Sequence, residues 1–204
     1  MCMMKMILVR HGQTEWNLLG KYQGQSDTAL SEKGRQQAEL LAKNFPVDHV
    51  DAVYASDLKR AFETGEKIAG RFGCPIIPEK GLREFHFGEW EGHTYEEIVK
   101  KWPEEAANFF GAPEKLQTPG GETFSILQER AMKTINRIRE INEGKIVCVA
   151  AHGAIIKTIL ASLMHIPLHY LWVIRQDNTA VNILRFDDDY VSIELINSTE
   201  HLRK

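Results

Sequence analysis

Cysteine is scarce in this chain, with three residues in 204, at Cys2, Cys74 and Cys148. Their odd number and wide spacing suit neither a disulfide framework nor a metal-ligand set, so reduced thiols in a cytoplasmic protein are expected. Long hydrophobic runs are missing too. The stretch Met6-Ile7-Leu8-Val9 ahead of Arg10 is too short for a signal-peptide core, and no run approaches the length that spans a bilayer. Charge of one sign is not in excess, the net value being −3. Bulk charge therefore suggests neither nucleic acid nor an acidic membrane as partner, and an anion site would need a local concentration of positive groups. Repeats, linkers and low-complexity tracts are absent. So are a Walker loop, an HExxH pattern and a serine nucleophile elbow, which argues against nucleotide-driven transfer, a zinc site of that type and serine catalysis.

What is present is an ordinary globular composition, 43% hydrophobic and 26% charged, at a length that suits one domain over residues 1–204. Strand-like apolar runs occur at Met6–Val9, Val50–Ala55, Pro75–Ile77, Ile146–Ala151, Ala180–Phe186 and Tyr190–Ile196. Helical patterns fill Ser31–Phe45, Asp57–Phe72 (with Ser56 as its expected N-cap), Glu122–Asn142 and Ala154–Met164, the last apolar nearly all round. Such alternation predicts a three-layer α/β/α fold: a mostly parallel sheet of about six strands, one of them antiparallel, with helices on both faces. The last two strands read as a hairpin turning at Asp187-Asp188-Asp189. Residues 85–121, with Trp90, Trp102, Phe109, Phe110 and three prolines, fit no strand–helix unit. They are expected to form a short helical lid over the carboxyl edge of the sheet.

Three of the apolar strands run into polar groups of one kind. The first ends in Arg10-His11-Gly12, the second leads through Ser56-Asp57-Leu58-Lys59 to Arg60, and the fourth ends in His152-Gly153. Glu84 follows the third strand after a short loop. The carboxyl edge of an open α/β sheet is where ligands bind. One histidine at a strand end is more often structural than chemical, but three matched strand ends are not readily explained that way. Two guanidinium groups and two imidazoles suit a dianion, because arginine forks match phosphate oxygens. A helix N-terminus at His152-Gly153 would add backbone N–H groups. With Arg10 beside His11 repelling a cation, a metal site is disfavoured, which leaves histidine itself as the candidate nucleophile.

The blocks Leu8-Val9-Arg10-His11-Gly12-Gln13-Thr14-Glu15-Trp16-Asn17, Gln23-Gly24, Leu30-Ser31-Glu32-Lys33-Gly34-Arg35 and Ser56-Asp57-Leu58-Lys59-Arg60-Ala61 resemble the histidine phosphatase superfamily, also called phosphoglycerate mutase-like. The similarity resumes at Leu82-Arg83-Glu84, Gly88-Glu89-Trp90-Glu91-Gly92, Pro119-Gly120-Gly121-Glu122 and His152-Gly153, in the family's order and over nearly the whole chain. The resemblance implies that His11 takes the phosphoryl group and Glu84 serves as the acid. It implies that Arg10, Arg60 and His152 bind the phosphate oxygens, helped by Asn17, Gln23 and the Gly153 N–H, and that no metal or cofactor is needed. Two positions depart from the usual pattern. Ala151 stands where many relatives have serine, and His86 occupies a stretch that often carries an acidic residue.

Within the family the choice lies between phosphatase and mutase. Family mutases resemble longer chains with extra basic residues in an insertion, whereas residues 92–121 here are short and carry only Lys100, Lys101 and Lys115 among several glutamates. A histidine acid-type phosphatase is therefore expected, acting on a small phosphorylated metabolite. The blocks around Glu84 and Trp90 resemble α-ribazole phosphatases of cobalamin synthesis and broad-specificity phosphatases, which makes α-ribazole-5′-phosphate a candidate substrate. The alternatives are a 2,3-bisphosphoglycerate-dependent phosphoglycerate mutase and a non-catalytic phosphate-binding module. No nucleic-acid or membrane partner is expected, and a homodimer is compatible with the sequence.

Overall fold

The computed structural model describes residues 3–187 and 190–203. One sheet of six strands forms its middle layer: β1 (Met4–Arg10), β2 (Ala52–Ala55), β3 (Ile76–Pro78), β4 (Ile146–Ala151), β5 (Val181–Asp187) and β6 (Tyr190–Ser198). Their spatial order is β3-β2-β4-β1-β5-β6. The first four of that series are parallel, and β5 runs against both of its neighbours. Residues 188 and 189 of the expected acidic turn lie outside the described residues, as does Cys2, but Asp187 and Tyr190 on either side of the turn are paired.

Side-chain alternation along the strands sorts the core into two layers. Met6, Leu8, Val147 and Val149 face one side, where they pack with Leu127, Ile135 and Ile138 of α6 (Phe124–Glu140) and Ile155 and Ile159 of α7 (Gly153–Leu163). Ile7, Val9, Val53 and Cys148 face the other, against Leu41 of α2 (Glu32–Lys43), which follows the one-turn α1 (Glu15–Leu18), and Ile68 and Ala69 of α3 (Lys59–Phe72). Strands buried on both faces read as continuous apolar runs, which is why β1 and β4 stand out in the sequence. At roughly 25 cal/mol per Å² of apolar surface, each such buried Leu or Ile contributes about 1.5–3 kcal/mol. Among the described residues no helix is long and apolar enough to cross a membrane.

Residues 85–121 form two short helices, α4 (Tyr95–Lys101) and α5 (Pro103–Gly111), with single 3-10 turns at Gly88–Trp90 and Pro113–Lys115. Phe85, Phe87, Trp90 and Phe109 join the larger core layer, so the segment is packed down by aromatic contacts. Two helix starts differ from expectation. Helix α3 begins at Lys59, two residues late, with Leu58 as N-cap and no side-chain cap bond. Ser56 is not the cap: its hydroxyl lies 2.8 Å from His152 Nε2, and Asp57 is held by a two-pronged pair with Arg83. Helix α6 starts at Phe124, capped by Thr123, because Glu122 instead binds Arg130 and the His86 N–H.

Candidate active site

Register brings the strand ends to one level. Arg10 on β1 pairs with Ala151 on β4, and Ala150 on β4 pairs with Ala55 on β2. The residues that follow these three ends therefore meet at the carboxyl edge of the central strands. His11 and His152 stand edge to face, ring centroids 5.2 Å apart and planes at 61°. Both are buried.

His11 Nδ1 lies 2.7 Å from the Gly12 carbonyl oxygen. A carbonyl can only accept, so Nδ1 carries the proton and Nε2 keeps its lone pair. Burial, with the Arg60 and Arg10 charges, holds the His11 pKa well below the ordinary histidine value, so the ring is neutral at neutral pH. Glycine at position 12 is a packing requirement: a Cβ there would run into the Gly34 carbonyl. The Gly12 N–H donates to Thr64 Oγ1, which in turn donates to the Arg60 carbonyl.

The two arginines are fixed by backbone carbonyls. Arg60, only 1% exposed, donates from Nη2 to Gly24 O (2.7 Å) and from Nη1 to Ser26 O (2.8 Å). Arg10 donates from Nη1 to Gln176 O at 2.7 Å. Burial lowers both pKa values, but a guanidinium stays charged in a protein. Arg10 Nε, Arg60 Nε and His152 Nδ1 are buried without a hydrogen-bond partner among the described residues. Buried polar atoms are nearly always paired, so three orphans near one neutral imidazole mark a place built for an anion.

Asn17 and Gln23 follow the same pattern. Asn17 Oδ1 accepts from the Thr14 N–H, and Gln23 Oε1 accepts from the hydroxyls of Thr14 and Thr28. With both amide oxygens engaged inside the chain, the amide nitrogens remain as donors. At the start of α7 the expectation is only partly met. The Ala154 and Ile155 N–H groups bind the carboxylate of Glu84 (3.0 and 3.1 Å), which also accepts from the Phe85 N–H at 2.9 Å. Gly153 N–H has no partner among the described residues, so this terminus offers an anion one backbone donor where a run of them was expected.

Glu84 is positioned by its backbone as well. Arg130 of α6 donates to the carbonyls of Gly81, Arg83 and Glu84, pinning the loop that carries the carboxylate. The Gly-Glu-Trp-Glu-Gly block is a fastener. Glu91 accepts from the N–H groups of Gln25 and Ser26, next to the carbonyls that hold Arg60, and buried Trp90 anchors it from below. His86 sits 3.9 Å from Glu91 and does not line the cleft. Among the described residues no group of three or more His, Cys, Asp or Glu side chains could hold a metal ion.

A cleft of about 180 Å³ opens beside Arg10, Glu84 and Gly153, walled by Phe87, Phe109 and Trp172, with Lys157 and Gln176 on its rim. Sequence reasoning missed Ser56 as the partner of His152. It also missed Lys157, Trp172, and the loop in which Asn178 Nδ2 and the Thr179 N–H both donate to the His11 carbonyl. Two signals point that way in the sequence: a lysine in an otherwise apolar helix, and Asn182 interrupting an apolar strand.

An α/β sheet whose strand ends gather two arginines, two neutral histidines and a glutamate defines a phosphate-handling enzyme. The model of the histidine phosphatase superfamily (branch 1) matches residues 6–199, and the chain belongs to that superfamily. Phosphoserine phosphatase 1 of Hydrogenobacter thermophilus is 32% identical over 98% of this chain and 95% of its own. Among solved structures, Bacillus stearothermophilus YhfR superposes with a TM-score of 0.93 at 34% identity, covering 98% of this chain and 99% of that one. A phosphoserine phosphatase mutant from Entamoeba histolytica, in complex with phosphoserine, gives 0.87 at 32% identity and covers 98% and 99%. The α-ribazole phosphatase from Shigella flexneri matches at 24% identity with a TM-score of 0.87, covering 96% of each chain, which shows the fold alone. The chain is a phosphatase of this superfamily.

Proposed function

We propose that the chain hydrolyses small phosphomonoesters through a phosphohistidine on His11, without a metal. The observation that carries this is the pairing of a neutral His11, its Nε2 unprotonated, with three unpartnered buried nitrogens, Arg10 Nε, Arg60 Nε and His152 Nδ1. In the first step Nε2 attacks phosphorus in line with the ester oxygen. The P–O bond breaks, and its electron pair leaves with the alcohol oxygen, which takes a proton from Glu84 in its carboxylic acid form, leaving the carboxylate. The two guanidinium groups, His152, Asn17, Gln23 and the Gly153 N–H hold the three remaining oxygens as charge spreads over them. In the second step Glu84 accepts a proton from water, the water oxygen bonds to phosphorus, and the N–P bond breaks to release phosphate.

For His152 to donate from Nδ1, its Nε2 must accept from the Ser56 hydroxyl, and the 2.8 Å contact allows that tautomer. The leading substrate is O-phosphoserine or an ester of similar size. The cleft of about 180 Å³ and the phosphoserine phosphatases among the relatives both favour it. A second candidate is α-ribazole-5′-phosphate, whose rings could stack on Phe87, Phe109 and Trp172; a nucleoside-sized group fills this cleft less well.

Brief reaction with radiolabelled phosphoserine, followed by an alkaline quench, is expected to leave acid-labile label on His11 and none on a His11→Ala variant. Activity should persist in excess chelator. Label on another residue, or strict need for a divalent ion, would remove the mechanism. Efficient interconversion of 2- and 3-phosphoglycerate with 2,3-bisphosphoglycerate would replace hydrolysis by transfer.

A further inference from the structure

Apart from the phosphate donors on Arg10 and Gly153, polar groups around the cleft are committed to the chain, with Lys157 as the exception. Gln176 exchanges side-chain hydrogen bonds with Asn182 (2.8 and 2.9 Å) and gives its carbonyl to Arg10. The Trp172 indole N–H donates to the Phe109 carbonyl. Lys157 is different. Its ammonium makes no hydrogen bond or ion pair among the described residues, although the side chain is half-buried and lines the cleft. Its Nζ stands 4.6 Å from the centroid of the Trp172 ring. A ring face attracts a cation but leaves its N–H donors unoccupied.

Position adds to this. Lys157 lies four residues beyond Gly153 on the same helix, so it is one turn, about 6 Å along the axis, from the N–H group offered to phosphate. The lid lysines do not compete for the role: Lys100, Lys101 and Lys115 are exposed and none lines this cleft. The remaining outer wall, Phe87, Phe109 and Trp172, presents rings. A polar group carried a few atoms from the phosphate would therefore meet Lys157.

We propose that Lys157 determines substrate choice, its ammonium receiving the carboxylate of a short phosphomonoester whose phosphate is held at Arg10 and Gly153. The inference rests on the phosphatase reading above, in that it takes the phosphate to sit at that end of the cleft. If Lys157 instead touched the phosphoryl group, its loss would weaken all esters alike.

The test separates binding from turnover. In a His11→Ala background, calorimetric affinities are measured for 3-phosphoglycerate and glycerol 3-phosphate, which differ in having a carboxylate or a hydroxymethyl group. With Lys157 present, the carboxylate ligand is expected to bind roughly 10- to 100-fold more tightly, the range a charge-assisted hydrogen bond commands. Lys157→Met should bring the two affinities within about threefold of each other, and Lys157→Arg should restore the preference. Phosphoserine against phosphoethanolamine should repeat the pattern. Equal weakening of both ligands by Lys157→Met, or no preference when Lys157 is present, would overturn the proposal. Turnover by the His11 chain is scored separately. A carboxylate preference in binding with no phosphate released from any ester would leave Lys157 assigned and remove the phosphatase reading instead.

Discussion

Arg60 and Lys157 bring the same charge to one site and are held in opposite ways. Arg60 is almost wholly buried, its fork gripped by the carbonyls of Gly24 and Ser26, and those carbonyls sit in a loop fastened by Glu91. Lys157 is half-buried and rests on a ring face with no hydrogen bond or ion pair among the described residues. The strand-end region is thus preorganised, as phosphoryl transfer asks: positioning and charge placed in advance, with little rearrangement during reaction. The outer wall is built from rings and one cation on a flexible stem, which can adapt to what the phosphate carries. Chemistry common to many esters is fixed in the first region, and discrimination between esters falls to the second.

The largest expected effect comes from loosening the rigid side. Arg60→Ala should lower kcat/KM by about 10²–10³-fold, the usual cost of a transition-state donor. It should also cost about 3 kcal/mol of stability, since the Gly24 and Ser26 carbonyls lose their partner. Phosphate release and urea unfolding measured together check both numbers. Arg60→Lys keeps the charge without the fork and should recover only part of each. An activity loss below tenfold for Arg60→Ala would break the contrast between the two regions.

Ser56→Ala probes the same side more gently. Without the hydroxyl at Nε2, His152 can move its proton away from Nδ1, and kcat should fall about tenfold while thermal stability changes little. Nitrogen-15 spectra of the His152 ring, with and without Ser56, would report the tautomer directly.

The smallest effect sharpens the other side. Burial, and then the Arg10 charge, lower the Lys157 pKa from 10.5 to about 8 against the opposing pull of Glu84 and Asp177. The ammonium is therefore charged below about pH 8 and loses its proton as pH rises through that value. The kcat/KM ratio of 3-phosphoglycerate to glycerol 3-phosphate should fall several-fold between about pH 7 and 9. Using the ratio cancels titrations shared by both esters, and the free-enzyme group is the one that kcat/KM reports. A ratio flat across that range would show that Lys157 does not discriminate.

Much of this site is legible in the order of residues alone, and the reason is local. β1 and β4 announce themselves because strands buried on both faces must be apolar throughout, so Arg10-His11 and His152 stand out as abrupt endings. Parallel strands in register then place such endings together. The Glu84 loop and the lid are visible only as a break in pattern, and the resemblance to a family, more than periodicity, supplies Glu84 with a role. Ser56 misleads for a physical reason. A serine immediately before an expected helix is a good N-cap by propensity, but here its hydroxyl meets a histidine 96 positions away. Lys157 shows in the sequence as the charged residue of an otherwise apolar α7, but nothing local distinguishes a lysine that reaches solvent from one that lines a cleft.

By itself the sequence determined the α/β layering and which titratable groups stand at which strand ends, because hydrophobic periodicity and strand termini are written in adjacent residues. Only the tertiary structure decided which nitrogens are occupied and which are left over. Arg10 is held by the carbonyl of Gln176, 166 positions later, and the Ala154 N–H near the start of α7 goes to Glu84 from 70 positions earlier. Hydrogen-bond commitments of that range depend on how loops close over the sheet edge. They leave His11 Nε2, His152 Nδ1 and two guanidinium Nε–H groups available at one place, and Lys157 unpaired beside them.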